Sequence, residues 1–116
     1  MSGDAIKRLR GFILIEIEDD AVDLRQLVNH ARHELHVRPD QLQSVIMAAI
    51  AELLTDGLIV VGDLDEGSHV RPWDLDHERT LALLATEWVS EPRIEPTPVA
   101  WIGRRRMPAR RLPETS

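Results

Sequence analysis

The sequence predicts an α+β domain with a three-helix core, a β-hairpin, a fourth helix and a short C-terminal strand, and three observations carry that prediction. Residues 39 to 57 place apolar side chains at helical spacing and stop at a glycine. Directly after them, LIVVGDL and SHVRPW, both rich in β-branched residues, flank the turn-forming Asp65-Glu66-Gly67. Two further stripes of helical period precede this stretch and one follows it.

The first segment, Asp4 to Glu18, sets Ile6, Leu9, Phe12, Ile13 and Ile17 on one helical face. FILIEIE also alternates and is β-branched, so a strand competes with the helix over residues 12–17. As a helix, the segment leaves Leu14 and Ile15 off the main face, to be covered by the C-terminal segment or by a second copy in a homodimer. Asp23 caps the second helix, with Gln26 at the capping-box position and Leu24, Leu27, Val28, Ala31 and Leu35 as its buried stripe, ending near His36. The third helix begins at Pro39, whose missing amide costs nothing in a first turn, and buries Leu42, Val45, Ile46, Ala49, Ile50, Leu53 and Leu54. Gly57 supplies its left-handed stop. After the hairpin, a fourth helix from about Leu75 to Val89, started by Asp74 or Asp76, aligns Leu81, Leu84, Ala85 and Trp88. Five of the seven prolines lie from residue 92 onward, around Val99-Ala100-Trp101-Ile102, which reads as an extra strand.

With 116 residues and 43% apolar content, the chain fits one domain. Its absence of cysteine excludes disulfides, thiolate metal sites and a cysteine nucleophile. The apolar run Gly11 to Ile15 is too short to span a bilayer and lacks a signal-peptide layout, so the expected location is cytoplasmic, without a membrane. Charge is segregated more than the net value of minus 6 suggests. Residues 1–103 hold nineteen acidic and nine basic side chains, whereas residues 104–116 hold five arginines and one acid, Glu114. The expected organisation is therefore a folded domain over 1–103 and a flexible Arg-rich tail over 104–116.

No constellation of residues points to catalysis, a cofactor or a metal. His30, His33 and His36 recur every three residues, but helical geometry spreads them over the polar face, and a solvated patch accounts for them. Asp63-Leu64-Asp65-Glu66-Gly67 lacks the later oxygen ligands of a calcium loop and is explained by a turn. Asp74, Asp76, His77 and Glu78 stand where a helix begins, a position that favours acids through its exposed amides. Ser44 and Ser68 have no neighbouring nucleophile pattern, and there is no glycine-rich phosphate loop. Trp73, Trp88 and Trp101 are three of only four aromatic residues, placed to pack the C-terminal half or to anchor an interface.

The order of three helices, hairpin and further helix over Asp4 to Trp73 resembles the winged helix-turn-helix proteins. The later tryptophans, Pro72-Trp73, Glu87-Trp88 and Val99-Ala100-Trp101-Ile102, are similar to those of small bacterial proteins that place Trp in this pattern after a winged-helix-like body. The winged-helix resemblance implies a third helix in the major groove, with Gln41, Gln43, Ser44, Met47, Ala48 and Ala51 toward bases and His69 and Arg71 near phosphate. The sequence departs from that pattern in charge: no Lys or Arg occurs from Pro39 to Val70, so the phosphate contacts that hold a reading helix in register are missing.

The expected function is accordingly a non-enzymatic protein-binding module whose acidic surface meets a basic partner, such as an immunity-type or antitoxin-type inhibitor of a basic toxin. Its candidate contact residues are Asp40, Gln41, Gln43, Glu52, Asp56, Asp63, Asp65 and Glu66. The alternative is a DNA-binding winged-helix regulator, dimeric through the first helix or assisted by Arg104, Arg105, Arg106, Arg110 and Arg111 of the tail. Those arginines can equally fold back on the acidic body or meet an acidic partner.

Overall fold

The computed structural model describes residues 2–65, 67, 69–90 and 100–105. Among these residues, four α-helices and a four-stranded antiparallel sheet make an α+β fold. Helix α1 (Ser2–Glu16) settles residues 12–16 as helix rather than strand, and buries Leu9, Ile13 and the following Ile17. Leu14 packs against the same core, whereas Ile15 remains 68% exposed.

The chain then forms the two-residue strand β1 (Val22–Asp23) and turns at once into α2 (Leu24–His33). Asp23 performs both roles, because its carboxylate accepts from the Gln26 amide at 2.9 Å while the Gln26 side chain accepts from the Asp23 amide at 3.0 Å. This is the reciprocal capping box expected from the sequence. The helix stops three residues short of His36, since His36 adopts a positive φ of 55° and the Leu35 and Val37 amides bond back to the His30 and Ala31 carbonyls. Phe12 of α1 stacks on His30 of α2 with ring centroids 3.7 Å apart, joining the two helices.

Pro39 opens a 3₁₀ turn (Pro39–Gln41) rather than the α-helix itself, which is α3 (Leu42–Thr55). Helix α3 is the centre of the molecule, packed against α1, α2 and α4 (His77–Ser90). Val45, Ile46, Ala49, Ile50, Leu53 and Leu54 are buried, and Leu42 is half-buried. At its end Gly57 takes φ 74°, its amide bonds to the Leu54 carbonyl, and the Leu58 amide reaches the Leu53 carbonyl, satisfying carbonyls that the helix leaves open. Asp76, rather than Asp74, starts α4, accepting from the Arg79 amide at 2.7 Å. The buried face of α4 is set by Thr80 and Leu84, with Leu81 and Ala85 half-buried beside them.

Strand β2 (Ile59–Leu64) pairs with β3 (Val70–Pro72) to form the expected hairpin. The C-terminal strand β4 (Trp101–Arg104) lies between β1 and β2, giving the order β1-β4-β2-β3. Val22, Ile102 and Val61 stand in one register line, and with Ile59 they are buried against the helices. On the opposite face, hairpin and sheet come unusually close at two glycines. A Cβ on Gly62 would run into the Arg71 carbonyl and lie 2.7 Å from the Pro72 Cα, and a Cβ on Gly103 would lie 2.8 Å from Val70 Cγ2. The hairpin therefore bends over β4, and both sites exclude any side chain.

Two stability predictions follow from these local geometries. Gly62→Ala is expected to destabilise the fold by about 1–3 kcal/mol, because backbone must move to admit one methyl. Asp23→Ala is expected to cost about 0.5–2 kcal/mol through loss of the capping box. Urea unfolding followed by far-UV circular dichroism checks both, and an unchanged midpoint for Gly62→Ala would contradict the close approach of β3.

Candidate functional site

The acidic groups singled out in the sequence do not converge on one surface feature; the structure engages most of them internally. Asp40 pairs with Arg38 at 3.3 Å. Glu52 and Asp56 near the end of α3 each receive one nitrogen of Arg10 from α1, both at 2.9 Å. Acids at a helix C-terminus oppose its dipole, and this single guanidinium offsets two of them. Asp63 accepts from the Trp73 indole at 3.1 Å, which ties the two strands of the hairpin together. Asp65 accepts from the Gly67 and His69 amides, both at 2.9 Å, and so holds the hairpin turn. Gln41 is exposed and Gln43 half-buried, while Glu66 lies outside the described residues.

Two arginines expected in the tail, Arg104 and Arg105, are joined to the sheet and to the end of α3. Arg104 is the last residue of β4, paired with Ile59. The Arg105 amide donates to the Leu58 carbonyl at 3.2 Å, and its guanidinium Nη1 would lie 3.5 Å from a Cβ on Gly57, placing positive charge at the carbonyl end of α3. Arg106, Arg110 and Arg111 lie outside the described residues. Nor does the structure gather the histidines: His30 is stacked on Phe12, and His33 and His36 are exposed. Among the described residues, no group of three His, Asp or Glu side chains is placed to hold a metal ion.

A cleft of about 970 Å³ does bring charged and apolar groups together. The turn from Ile17 to Ala21 after α1 contributes Glu18, Asp19 and Asp20. The sheet contributes Val60, Val70, Pro72 and Gly103, and His69, Arg104 and Arg105 add groups of the opposite sign or potential sign. The sequence signal for its acidic part is the run Glu16-Ile17-Glu18-Asp19-Asp20 immediately at the end of a helix, with no basic residue in the helix's last turn. Carboxylates there are disfavoured by the exposed carbonyls, so their presence needs a reason other than helix stability. Glu18 and Asp19 take part in no ion pair among the described residues, and Asp20 accepts from the Ala21 amide at 3.1 Å.

No protein-family model, no curated protein and no solved structure matches the chain. No helix among the described residues is long and apolar enough to cross a membrane.

The turn at the cleft's rim has a defined response to acid. The amide of His69, first, and that of Gly67 hold the Asp65 carboxyl below the ordinary carboxylate value, aided by the charges of His69 and Arg71. A carboxyl with a depressed folded pKa stabilises the fold above its unfolded value and loses that contribution as pH falls through the folded value. The Asp65 carboxyl is thus expected to titrate below pH 3.8, with the Gly67 and His69 amide resonances shifting over the same range. Carboxyl-detected NMR checks this, and titration at or above the ordinary value would rule out the two-amide clasp.

Proposed function

We propose that the chain is a non-enzymatic protein-binding module on a winged-helix-like frame, and that it meets a basic partner surface. The observation that carries this reading is the carboxylate cluster Glu18, Asp19 and Asp20, set in an open cleft at the negative end of α1. An acidic body with such a focus attracts cationic protein segments and repels phosphate. Asp40, Glu52, Asp56, Asp63 and Asp65 add to the field, and each already takes part in a contact within the chain. An inhibitor of a basic toxin, of immunity or antitoxin type, falls within this reading.

The frame is supported by element order, in which a helix, a short strand, two helices and a hairpin follow one another as in winged helices. Groove reading by α3 is the less favoured use of that frame. Helices α1, α2 and α4 pack on α3, Gln43 is half-buried, and the hairpin bends over β4. The phosphate-contacting cations that groove binding needs are scarce on this part of the chain.

Fluorescence anisotropy of the full chain separates the two uses, with a labelled lysine-rich peptide and a labelled duplex as probes. The peptide is expected to bind at low salt and to weaken as salt rises past about 0.1 M, where the Debye length is about 10 Å. A full-length variant with Arg106, Arg110 and Arg111 changed to Ser is expected to bind no duplex. Sequence-selective duplex binding by that variant would assign α3 to the groove and overturn the protein-binding reading.

A further inference from the structure

We propose that the outward face of α1 pairs with the same face of a second copy of the chain, as an antiparallel helix pair related by a two-fold axis. This rests on the protein-binding reading above and names the partner, because the basic surface that Glu18 and Asp19 meet is Lys7 and Arg8 of the second copy.

Helix α1 buries one side only. Leu9, Ile13 and Ile17 lie in the core, and helical spacing sets Asp4, Gly11 and Ile15 on the opposite side, where all three are exposed. Ile15, at 68%, is the most exposed large apolar side chain among the described residues. One turn before it, a Cβ on Gly11 would meet nothing within 4 Å, so an apolar knob stands beside an open seat. A glycine inside a helix weakens it relative to alanine, and the space around Gly11 within the chain gives no reason for the missing side chain. A helix–helix contact gives one, since small residues there let the axes approach to about 8 Å.

Charge supplies the direction and the register. Lys7 and Glu18 fall on one flank of this stripe, and Arg8 and Asp19 on the other, all exposed. The turn after α1 keeps the acids in helical sequence, because the Ile17, Glu18 and Asp19 amides bond back to the Ile13, Ile15 and Glu16 carbonyls. An antiparallel pair that seats Ile15 of one copy on Gly11 of the other brings Glu18 opposite Lys7 and Asp19 opposite Arg8, each on the matching flank. The two-fold axis repeats these contacts at the other end, so ion pairs bracket the apolar ones. A parallel pair would set lysine against lysine and glutamate against glutamate, with the helix dipoles aligned.

The groups needed are available. Lys7, Glu18 and Asp19 form no ion pair among the described residues, and Arg8 meets Asp4 through Nε alone, at 3.2 Å on the surface, which leaves its guanidinium able to take a second carboxylate. The pairing also accounts for carboxylates at the negative end of α1, where helix stability alone disfavours them. Residues 7–19 span only about 18 Å, so the pair belongs with small, reversible interfaces.

The test is sedimentation equilibrium of the full chain at low salt over about 10–500 µM, where a weak monomer–dimer equilibrium is expected. Ile15→Arg and Gly11→Gln are each expected to weaken the dimer about tenfold or more. Gly11→Gln is also expected to raise the unfolding midpoint of the monomer, and the opposite signs separate a seat at an interface from damage to the fold. Lys7→Glu with Arg8→Glu, and Glu18→Lys with Asp19→Lys, are each expected to be monomeric alone and to dimerise with one another when mixed, since every ion pair is then restored with its sign reversed or kept. The control Glu34→Lys with Glu78→Lys, at exposed positions on other helices, is expected to change association less than about twofold. Swapped chains that stay monomeric when mixed, or association unmoved by Ile15→Arg, would overturn the α1 pair. So would a full chain monomeric throughout: binding of the lysine-rich peptide by that monomer would keep the protein-binding reading, and its failure to bind would overturn both. A monomeric chain whose unfolding midpoint falls on Ile15→Arg would give the face to the chain's own C-terminal segment and overturn a second copy as occupant.

Discussion

The constraint on which the rest of the structure depends is the insertion of β4 between β1 and β2. Ile102 is fully buried and stands between Val22 and Val61, so among the described residues β1 and β2 are joined through β4. Without it, β1 would have no ladder partner, and the core beneath Val22, Ile59 and Val61 would be open to water. The arrangement also makes the fold non-local, since residues 22 and 102 must pair before the sheet closes. Such contacts reward the chain only after the entropy of a long loop has been overcome, which favours helix packing first and sheet closure later.

From β4 the consequences pass to both sides. Its residue Gly103 accepts the Val70 side chain overhead, which allows the hairpin to bend across it. Its exit places Arg105 at the end of α3, where the Arg105 amide donates to the Leu58 carbonyl and the guanidinium lies beside Gly57. Arg10 reaches the same end from α1 and offsets Glu52 and Asp56. Two cations from distant parts of the sequence thus stabilise one helix terminus. These are partly exposed contacts, each worth little alone, and their importance lies in fixing which charges remain available to solvent.

The sequence made local features legible and long-range ones illegible. The capping box of Asp23 and Gln26, the stop at Gly57, the hairpin and the helix start at Asp76 all follow from residues within a few positions of one another, where backbone chemistry is decisive. The last strand was legible as a strand from its apolar run, but not as a central one, because register with Val22 and Val61 depends on tertiary packing. The same limit hid the site. Asp56 reads as a free surface acid until Arg10 arrives from 46 positions earlier, and Arg105 reads as tail until it meets Gly57. The carboxylates at the end of α1 were open to view as a conflict with the helix dipole, the one signal for the cleft that local reasoning contains.

This separation of engaged from unengaged acids bears on how a domain with so much negative charge can be selective. If every carboxylate contributed only to a diffuse field, any cationic surface would be drawn to it, and added salt would remove most of the distinction between partners. Internal pairing reduces the diffuse part: Arg10 pairs with two acids and offsets one of their charges, Arg38 pairs with one, and the hairpin amides and indole constrain two more. What stands out against that reduced background is the group at Glu18, Asp19 and Asp20, beside apolar side chains and within the same cleft as Arg104. Repulsion of a wrongly charged surface supplies discrimination that attraction alone does not. On the protein-binding reading, discrimination then falls to the carboxylates outside internal pairs, while the overall acidity sets the rate of encounter.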